Sequence, residues 1–469
     1  MIRKIDRIWE DLELNYKSKN RPIDFNFRNV VSTNSQGKNS NNRAHYIHPY
    51  PAKIFPYIPT FLLSIPNLCP IDGIVLDSFC GSGSVLLESI IHPFYKRNAY
   101  GVEINPLGRL ISKVKTTPLD KDEINKRSKS LLDNIRRNNN KITTFPNFRN
   151  IEFWFSPVII KKLATIKYSL DSLEDDDYKD FFYLCFSSII RKVSRADPYI
   201  PPPVLLKINK YKNSPDKYKF LRNYVKNIEN ADVFDLLRKA IVETSEKVNK
   251  LNEIEDVREG RIKARIIWDD AKSIKKGNLG FKGHLFKKGS KPLRSNSIDL
   301  ILTSPPYLTA QKYIRTQKLE LLWLDMLSQI ELDELQREII GAERVSIKET
   351  DFDLKFGVES IDSIVNWAKP FSKERAATII KYFINMRRCL AEIHRVLKND
   401  AYCVIVVGNN RILGRYVETH KLLADLAIDS GFKLKVILKD KIRGRGMITK
   451  RHNTGGLIKE EYIIVLKKE

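Results

Sequence analysis

At 469 residues, with 42% hydrophobic and 10% aromatic residues, the chain has apolar material for one large core and a smaller one. No run reaches the roughly 18 apolar residues of a membrane span, and the opening "MIRKIDRIWEDLELNYKSKN" lacks a signal peptide's apolar core, so a cytoplasmic protein without membrane contact is expected. Lys and Arg number 82 against 56 Asp and Glu, a net charge of +26, which favours a polyanionic partner, nucleic acid first, although a Lys- and Asn-rich coding bias explains the imbalance equally well.

Residues 1–44 are polar and end in the Asn-rich "VSTNSQGKNSNNR", which predicts a mobile arm with order beginning near His45. From 45 to 117 follow a Pro-punctuated segment "HPYPAKIFPYIP", a strand "GIVLDSF", a glycine turn, a helix "SVLLESIIHPF" and a strand "NAYGVEIN". Residues 118–261 carry long charged helical patterns and predict a helical insertion. The strand and helix alternation resumes over 262–469 with "ARIIWDDAKSI" and "SIDLILTSPPY". It is interrupted by a second insertion at about 310–375, then completed by "AYCVIVVGN", "FKLKVILKD" and "EEYIIVLKK" with helices between. Such alternation predicts an α/β fold with a doubly wound, largely parallel sheet that an antiparallel hairpin closes.

The chemistry-bearing residues gather at predicted strand ends. In "VLDSFCGSGSVLLES", Asp77 ends a strand, Gly81 and Gly83 make a tight turn, and a helix N-terminus follows. A carboxylate before the turn, and the lack of a third glycine, suit a cationic amino group better than a pyrophosphate. Glu103 stands about 20 residues on, where an acidic residue commonly meets ribose hydroxyls, and Asp269 and Asp270 end a third strand. Ser304-Pro305-Pro306-Tyr307 cuts off a fourth, because two prolines donate no ladder hydrogen bonds and stiffen the exit. The five cysteines (Cys69, Cys80, Cys185, Cys389, Cys403) are scattered without a CxxC pair or a His cluster, so no metal site is expected.

"DSFCGSG" together with "TSPPY" resembles the motif pair of the DNA amino-methyltransferases, the site-specific N4-cytosine and N6-adenine enzymes. "HPYPAKIFPYIP" looks like their cofactor-closing segment and "KIRGRGMITKRHNTGGLIKEEYIIVLKK" like their terminal hairpin; the helical insertion carries no matching motif. The resemblance implies a Rossmann-like, S-adenosylmethionine-dependent methyltransferase sheet with a large helical insertion. It further implies a donor pocket formed by Asp77, Phe79, Gly81, Gly83, Glu103 and Asp270, with Asp269 the lesser choice beside Asp270 and with His48, Pro49 and Lys53 in the closing segment. Ser304 and the Pro305 carbonyl would accept hydrogen bonds from a base amine, Pro306 would fix the turn, and Tyr307 would stack on a base flipped from double-stranded DNA.

Ser at the first position of that motif leans toward cytosine N4, with adenine N6 as the alternative. An RNA or tRNA amino-methyltransferase and a non-catalytic DNA-binding protein are the rival classes. Candidate DNA contacts are Arg191 and Arg195 in the helical insertion, Lys312 and Arg315 after the catalytic turn, and Arg443, Arg445, Lys450 and Arg451 near the terminus. A restriction or phage-defence nuclease as partner follows from the resemblance alone.

Overall fold

The computed structural model describes every residue except 1, 35–42, 52, 140, 143, 277–290, 309–312, 343–344 and 443–457. Its centre is an eight-stranded sheet of β1 (Ile23–Asp24), β2 (Val75–Asp77), β3 (Ala99–Val102), β4 (Ala264–Trp268), β5 (Ile298–Thr303), β6 (Leu397–Gly408), β7 (Phe432–Lys441) and β8 (Glu460–Lys468). The spatial order is β1-β7-β8-β6-β5-β2-β3-β4. Neighbours run parallel except for β8, which is antiparallel to both β7 and β6. The fold is thus mixed α/β with a large, parallel-rich sheet. The central strands are buried on both faces, as their unbroken apolar runs require: Leu300, Ile301 and Leu302 of β5 are all inaccessible to solvent.

From β2 the chain moves outward through β3 to β4, whereas β5 returns to the other side of β2 and leads on to β6. The order therefore reverses between β2 and β5, which pair through Val75 with Leu300 and Leu76 with Ile301. A crevice opens beyond the carboxyl ends of the strands at such a reversal, because the crossover helices leave in opposite directions. Asp77, Glu103, Asp269 and Ser304 stand at or just past the ends of β2, β3, β4 and β5.

The segment predicted to be a mobile arm is ordered over residues 2–34. Helix α1 (Ile2–Lys19) buries Ile5, Trp9, Leu12 and Tyr16, one stripe at helical spacing, in the core cluster that covers the sheet. Strand β1 then extends the sheet beside β7, where Lys439 pairs with Asp24 at 3.1 Å. Phe25 and Phe27 close on Phe61 at 5.0 and 5.4 Å between ring centroids. The polar composition of this stretch belongs to its solvent face; the apolar stripe is what folds it.

Two helices carry the connections that shape the crevice. Helix α2 (Ser84–Ile91) begins directly after Gly83. Helix α3 (Pro106–Thr116) has proline in its first turn and Asn105 as cap, its side chain accepting from the Leu107 N–H at 3.1 Å. Residues 118–261 are helical wherever they are regular, apart from one bridge between Ala196 and Leu205. Their apolar faces (Phe181, Phe186, Leu237) share a second core with Leu87 and Leu110 of α2 and α3 and with Trp323 beyond the catalytic turn. The insertion is therefore packed against the helices behind the glycine turn.

Candidate active site

The crevice is an open cleft of about 750 Å³ lined by Tyr50, Ser78, Phe79, Gly81, Glu103, Ile104, Asn105, Asp269, Asp270, Lys272, Ser304, Pro306, Ile314 and Glu338–Ile340, among others. Four of its walls are the strand ends predicted to carry chemistry. Asp77 lies immediately behind Ser78, 2% exposed, and its Oδ1 accepts from Thr303 Oγ1 at 2.6 Å and from the Phe79 N–H at 3.1 Å. Thr303 also accepts from the Phe79 N–H at 3.0 Å, so the ends of β2 and β5 are tied by a single hydroxyl. Burial outweighs these bonds and pushes the Asp77 carboxyl up to about 7.

Glu103 anchors the glycine turn. Its Oε2 accepts from the Gly81 N–H at 2.7 Å and its Oε1 from the Asn105 N–H at 2.8 Å, while burial raises its pKa above the ordinary carboxylate value. Gly83 sits at φ +72°, and a Cβ there would lie 2.2 Å from Ser112 Oγ of α3. Only glycine serves at that position, for conformation and for space alike.

The pair at the end of β4 divides its work. Asp270 Oδ1 accepts the Lys272 N–H at 2.9 Å, closing its own turn. Asp269 is 2% exposed, neither of its carboxylate oxygens has a well-aligned hydrogen-bond partner, and burial, opposed by Arg109 and by the nearby backbone N–H groups of Asp269 and Asp270, pushes its pKa up to about 6. The buried Arg109 opposes that rise and donates from Nη1 to the Glu103 and Ile104 carbonyls, both at 3.1 Å. The cleft thus gathers carboxylates that burial makes reluctant to ionise, so a cation bound there relieves them.

The catalytic turn closes the other side. Ser304 and Pro306 line the cleft, and the Pro306 carbonyl accepts from Tyr382 Oη of α5 (Lys373–Val396) at 3.1 Å. Tyr307 is 7% exposed, and its hydroxyl donates to Glu461 Oε1 on β8 at 3.1 Å. The Tyr307 ring passes so near Gly408 at the end of β6 that a Cβ there would lie 2.9 Å from it. Burial pushes the Glu461 carboxyl up to about 7, and its Oε2 is a buried oxygen without a partner.

The closing segment contributes differently from expectation. His48 is buried, bonded through Nε2 to Ser187 Oγ of the helical insertion at 2.9 Å and through Nδ1 to the Pro49 carbonyl at 2.8 Å, and burial lowers its pKa to about 4. Lys53 donates to the carbonyls of His45 and His48 at 3.1 and 3.0 Å. These residues, with Pro49, hold the segment's shape and do not line the cleft. The residue that reaches it is Tyr50, which sequence reasoning passed over although it stands between Pro49 and Pro51. Its ring lies over the glycine turn, where a Cβ at Gly81 would be 3.2 Å away. Ile314, Ile339 and Ile340 are further lining residues without a sequence signal, because they belong to the second insertion.

Of the candidate DNA contacts, Arg315 is exposed beside the cleft-lining Ile314. Arg191 spends its guanidinium on the carbonyls of Ile200 and Pro201, and Arg195 pairs with Glu229 at 3.0 Å, so both act within the insertion. Lys312, Arg443, Arg445, Lys450 and Arg451 lie outside the described residues. Among the described residues no helix is long and apolar enough to cross a membrane and no cluster of acidic, His or Cys side chains is arranged to hold a metal ion.

A mainly parallel sheet with acidic strand ends around one cleft, and a proline-stiffened turn beside them, defines a ligand-binding α/β protein of enzyme type. No family model matches the chain. It is 25% identical over 403 residues to the type II methyltransferase M.MvaI of Kocuria varians, an alignment that covers 83% of this chain and 82% of that protein. It is 29% identical over 174 residues to the type II methyltransferase M.MjaII of Methanocaldococcus jannaschii, covering 34% of this chain and 31% of the other. The figure is 29% over 153 residues for M.AvaI of a Nostoc species, with 30% and 32% covered. The chain is thus similar to type II methyltransferases, over most of its length in the first case and over about a third in the others.

Proposed function

We propose that the chain is an S-adenosylmethionine-dependent DNA methyltransferase that methylates the exocyclic N4 amine of a flipped cytosine at a specific site, with a restriction nuclease as its natural counterpart. The single observation that carries this reading is the meeting of Glu103, Asp269, Ser304 and Pro306 around one cleft at the strand-order reversal, with Asp77 immediately behind its wall. The residues fit such a donor. It bears an ammonium and a sulfonium, and the cleft offers carboxylates with raised pKa values. It bears an exocyclic amine and hydroxyls, and the orphaned oxygens of Asp269 are free acceptors for a group of that kind. On this ground Asp269 has a stronger claim than Asp270.

When bound, the donor supplies an electrophilic methyl group; the chain supplies orientation. An exocyclic base amine is a weak nucleophile because its lone pair is delocalised into the ring. Ser304 Oγ, with the carbonyl of Pro305 beside it, accepts hydrogen bonds from that amine and turns its lone pair toward the methyl. The prolines and the Tyr382 bond to the Pro306 carbonyl keep the turn from relaxing away. Tyr307, fixed by Glu461 and by the space that Gly408 leaves, offers an aromatic edge or face to the base. Tyr50, Ile339 and Ile340 add apolar surface to the wall of the cleft.

The test is transfer of labelled methyl groups from S-adenosylmethionine into duplex DNA by wild type and by Ser304→Ala. Incorporation by wild type that falls steeply in the variant, with donor binding unchanged, supports the reading. Donor binding without incorporation into any DNA would sink it.

A further inference from the structure

We propose that the exposed basic stretch 207–226, centred on α4 (Pro215–Glu229) and outside every residue discussed above as a site, is the surface that grips the phosphates of the duplex flanking the target base. The inference rests on the DNA methyltransferase reading and names where the protein holds its substrate.

Between Lys207 and Lys226 stand seven cations, Lys207, Lys210, Lys212, Lys217, Lys219, Arg222 and Lys226, against one carboxylate, Asp216. All seven are exposed, and none makes an ion pair among the described residues. Elsewhere on the helical insertion several surface cations are paired, Arg195 with Glu229, Arg238 and Lys239 with Asp235, and Lys179 with Asp175. Within these 20 residues the cations exceed the carboxylates by six, a local density of exposed charge that suits a polyanion.

Aromatic rings are interleaved with them. Tyr199 and Phe220 are 45% and 50% exposed, and the rings of Tyr199, Phe220 and Tyr224 form a chain of contacts at 6.1 and 6.0 Å. Lys217 lies 5.3 Å over the Tyr199 ring. A ring face steadies an ammonium without neutralising it, so the charge stays available to a phosphate.

The surface is also joined to the cleft. Ile314 lines the cleft, the exposed Arg315 follows it, and Lys318 rests 4.1 Å over the Trp154 ring. The Trp154 carbonyl accepts the Arg195 N–H at 2.7 Å, and Arg195 pairs with Glu229 at the end of α4. Packed residues therefore link Arg315 beside the cleft to the end of α4, so a duplex whose target base enters the cleft can reach both. Duplex DNA is the occupant this charge pattern fits: a row of fixed cations matches a regular polyanion, and phosphate contact positions a duplex without reading it.

The experiment compares wild type with Lys217→Gln, Lys219→Gln, Arg222→Gln, and with a control that removes three paired cations, Arg238→Gln, Lys239→Gln, Lys421→Gln. Binding to a methylatable duplex is measured by fluorescence anisotropy across a salt series, with donor binding as the check on folding. Loss of three phosphate contacts lowers the slope of log K against log salt by about 2.7 and weakens binding by roughly 100-fold or more at about 0.1 M salt, whereas the control leaves the slope in place. An unchanged slope in the first variant, with wild type binding and methylating DNA, overturns the proposal and leaves the enzymatic reading standing. A slope change seen with an RNA hairpin and not with the duplex overturns the choice of occupant. No methylation of DNA by wild type fails the enzymatic reading itself, while the slope comparison still decides whether this surface holds DNA.

Discussion

Asp77→Asn separates what the cleft does for stability from what it does for the ligand. Asp77 Oδ1 accepts from Thr303 and from Phe79, and asparagine keeps that acceptor, so both bonds survive the change. What disappears is the cost of ionising a fully buried carboxyl. Its pKa is about 7 in the folded protein against 3.8 for an exposed Asp, so the folded state holds its proton longer than the unfolded chain does. The stability that the protonated form provides is therefore present below pH 3.8, is lost steadily as pH rises, and stops falling above about 7.

Between pH 5 and pH 8 about two pH units of that window are crossed, worth roughly 2 to 3 kcal/mol at 1.36 kcal/mol per unit. For a chain of 469 residues this corresponds to a thermal midpoint lowered by about 3 °C in wild type relative to D77N. The assay is a melt of both proteins, ligand-free, at pH 5 and pH 8, paired with calorimetry of S-adenosylmethionine in two buffers of different ionisation enthalpy at pH 6. Wild type releases close to one proton more than D77N on binding, because the cation pulls the Asp77 carboxyl into its ionised form, and D77N binds at least 10-fold more weakly. Parallel melts with no pH-dependent difference, or undiminished donor affinity in D77N, would refute the reasoning.

Ser304→Ala lowers kcat by about 100-fold with donor affinity unchanged, the scale for removing one hydrogen-bonding group at a reacting centre; single-turnover kinetics checks it. Gly83→Ala places a Cβ 2.2 Å from Ser112 Oγ at φ +72°, and it costs about 1 to 3 kcal/mol of stability together with donor affinity, read by melts and calorimetry. Glu461→Gln keeps an acceptor for the Tyr307 hydroxyl and retains activity within a few-fold. Glu461→Ala removes the acceptor and loses about 10-fold in kcat, so equal loss in both variants contradicts a positioning role.

The strand ends were legible because a parallel strand buried on both faces announces itself as an apolar run, and the polar residue that stops it stands at the rim of the crevice or immediately behind it. Asp77, Glu103, the Asp269–Asp270 pair and Ser304 all follow that rule. Burial was not legible: which of two adjacent aspartates is orphaned depends on whether its turn supplies an N–H, as Lys272 does for Asp270. Helix α1 was hidden because Trp9, Leu12 and Tyr16 are diluted by charged neighbours, and only the surface they meet decides whether that stripe folds. Arg191 read as a phosphate contact from composition, yet the chain's return through "DPYIPPP" brings the carbonyls of Ile200 and Pro201 to its guanidinium, a tertiary event with no local signature. The lining residues Ile339 and Ile340 were illegible for the same reason.

The central claim is tested most directly by mass spectrometry of nucleosides from duplex DNA incubated with the protein and labelled S-adenosylmethionine. Cytidine carrying the label on its exocyclic nitrogen, absent from the product of a Ser304→Ala, Tyr307→Ala variant, is the predicted result. Label on adenine would preserve the chemistry of the cleft and move the target base, whereas unlabelled DNA beside labelled RNA would contradict the account.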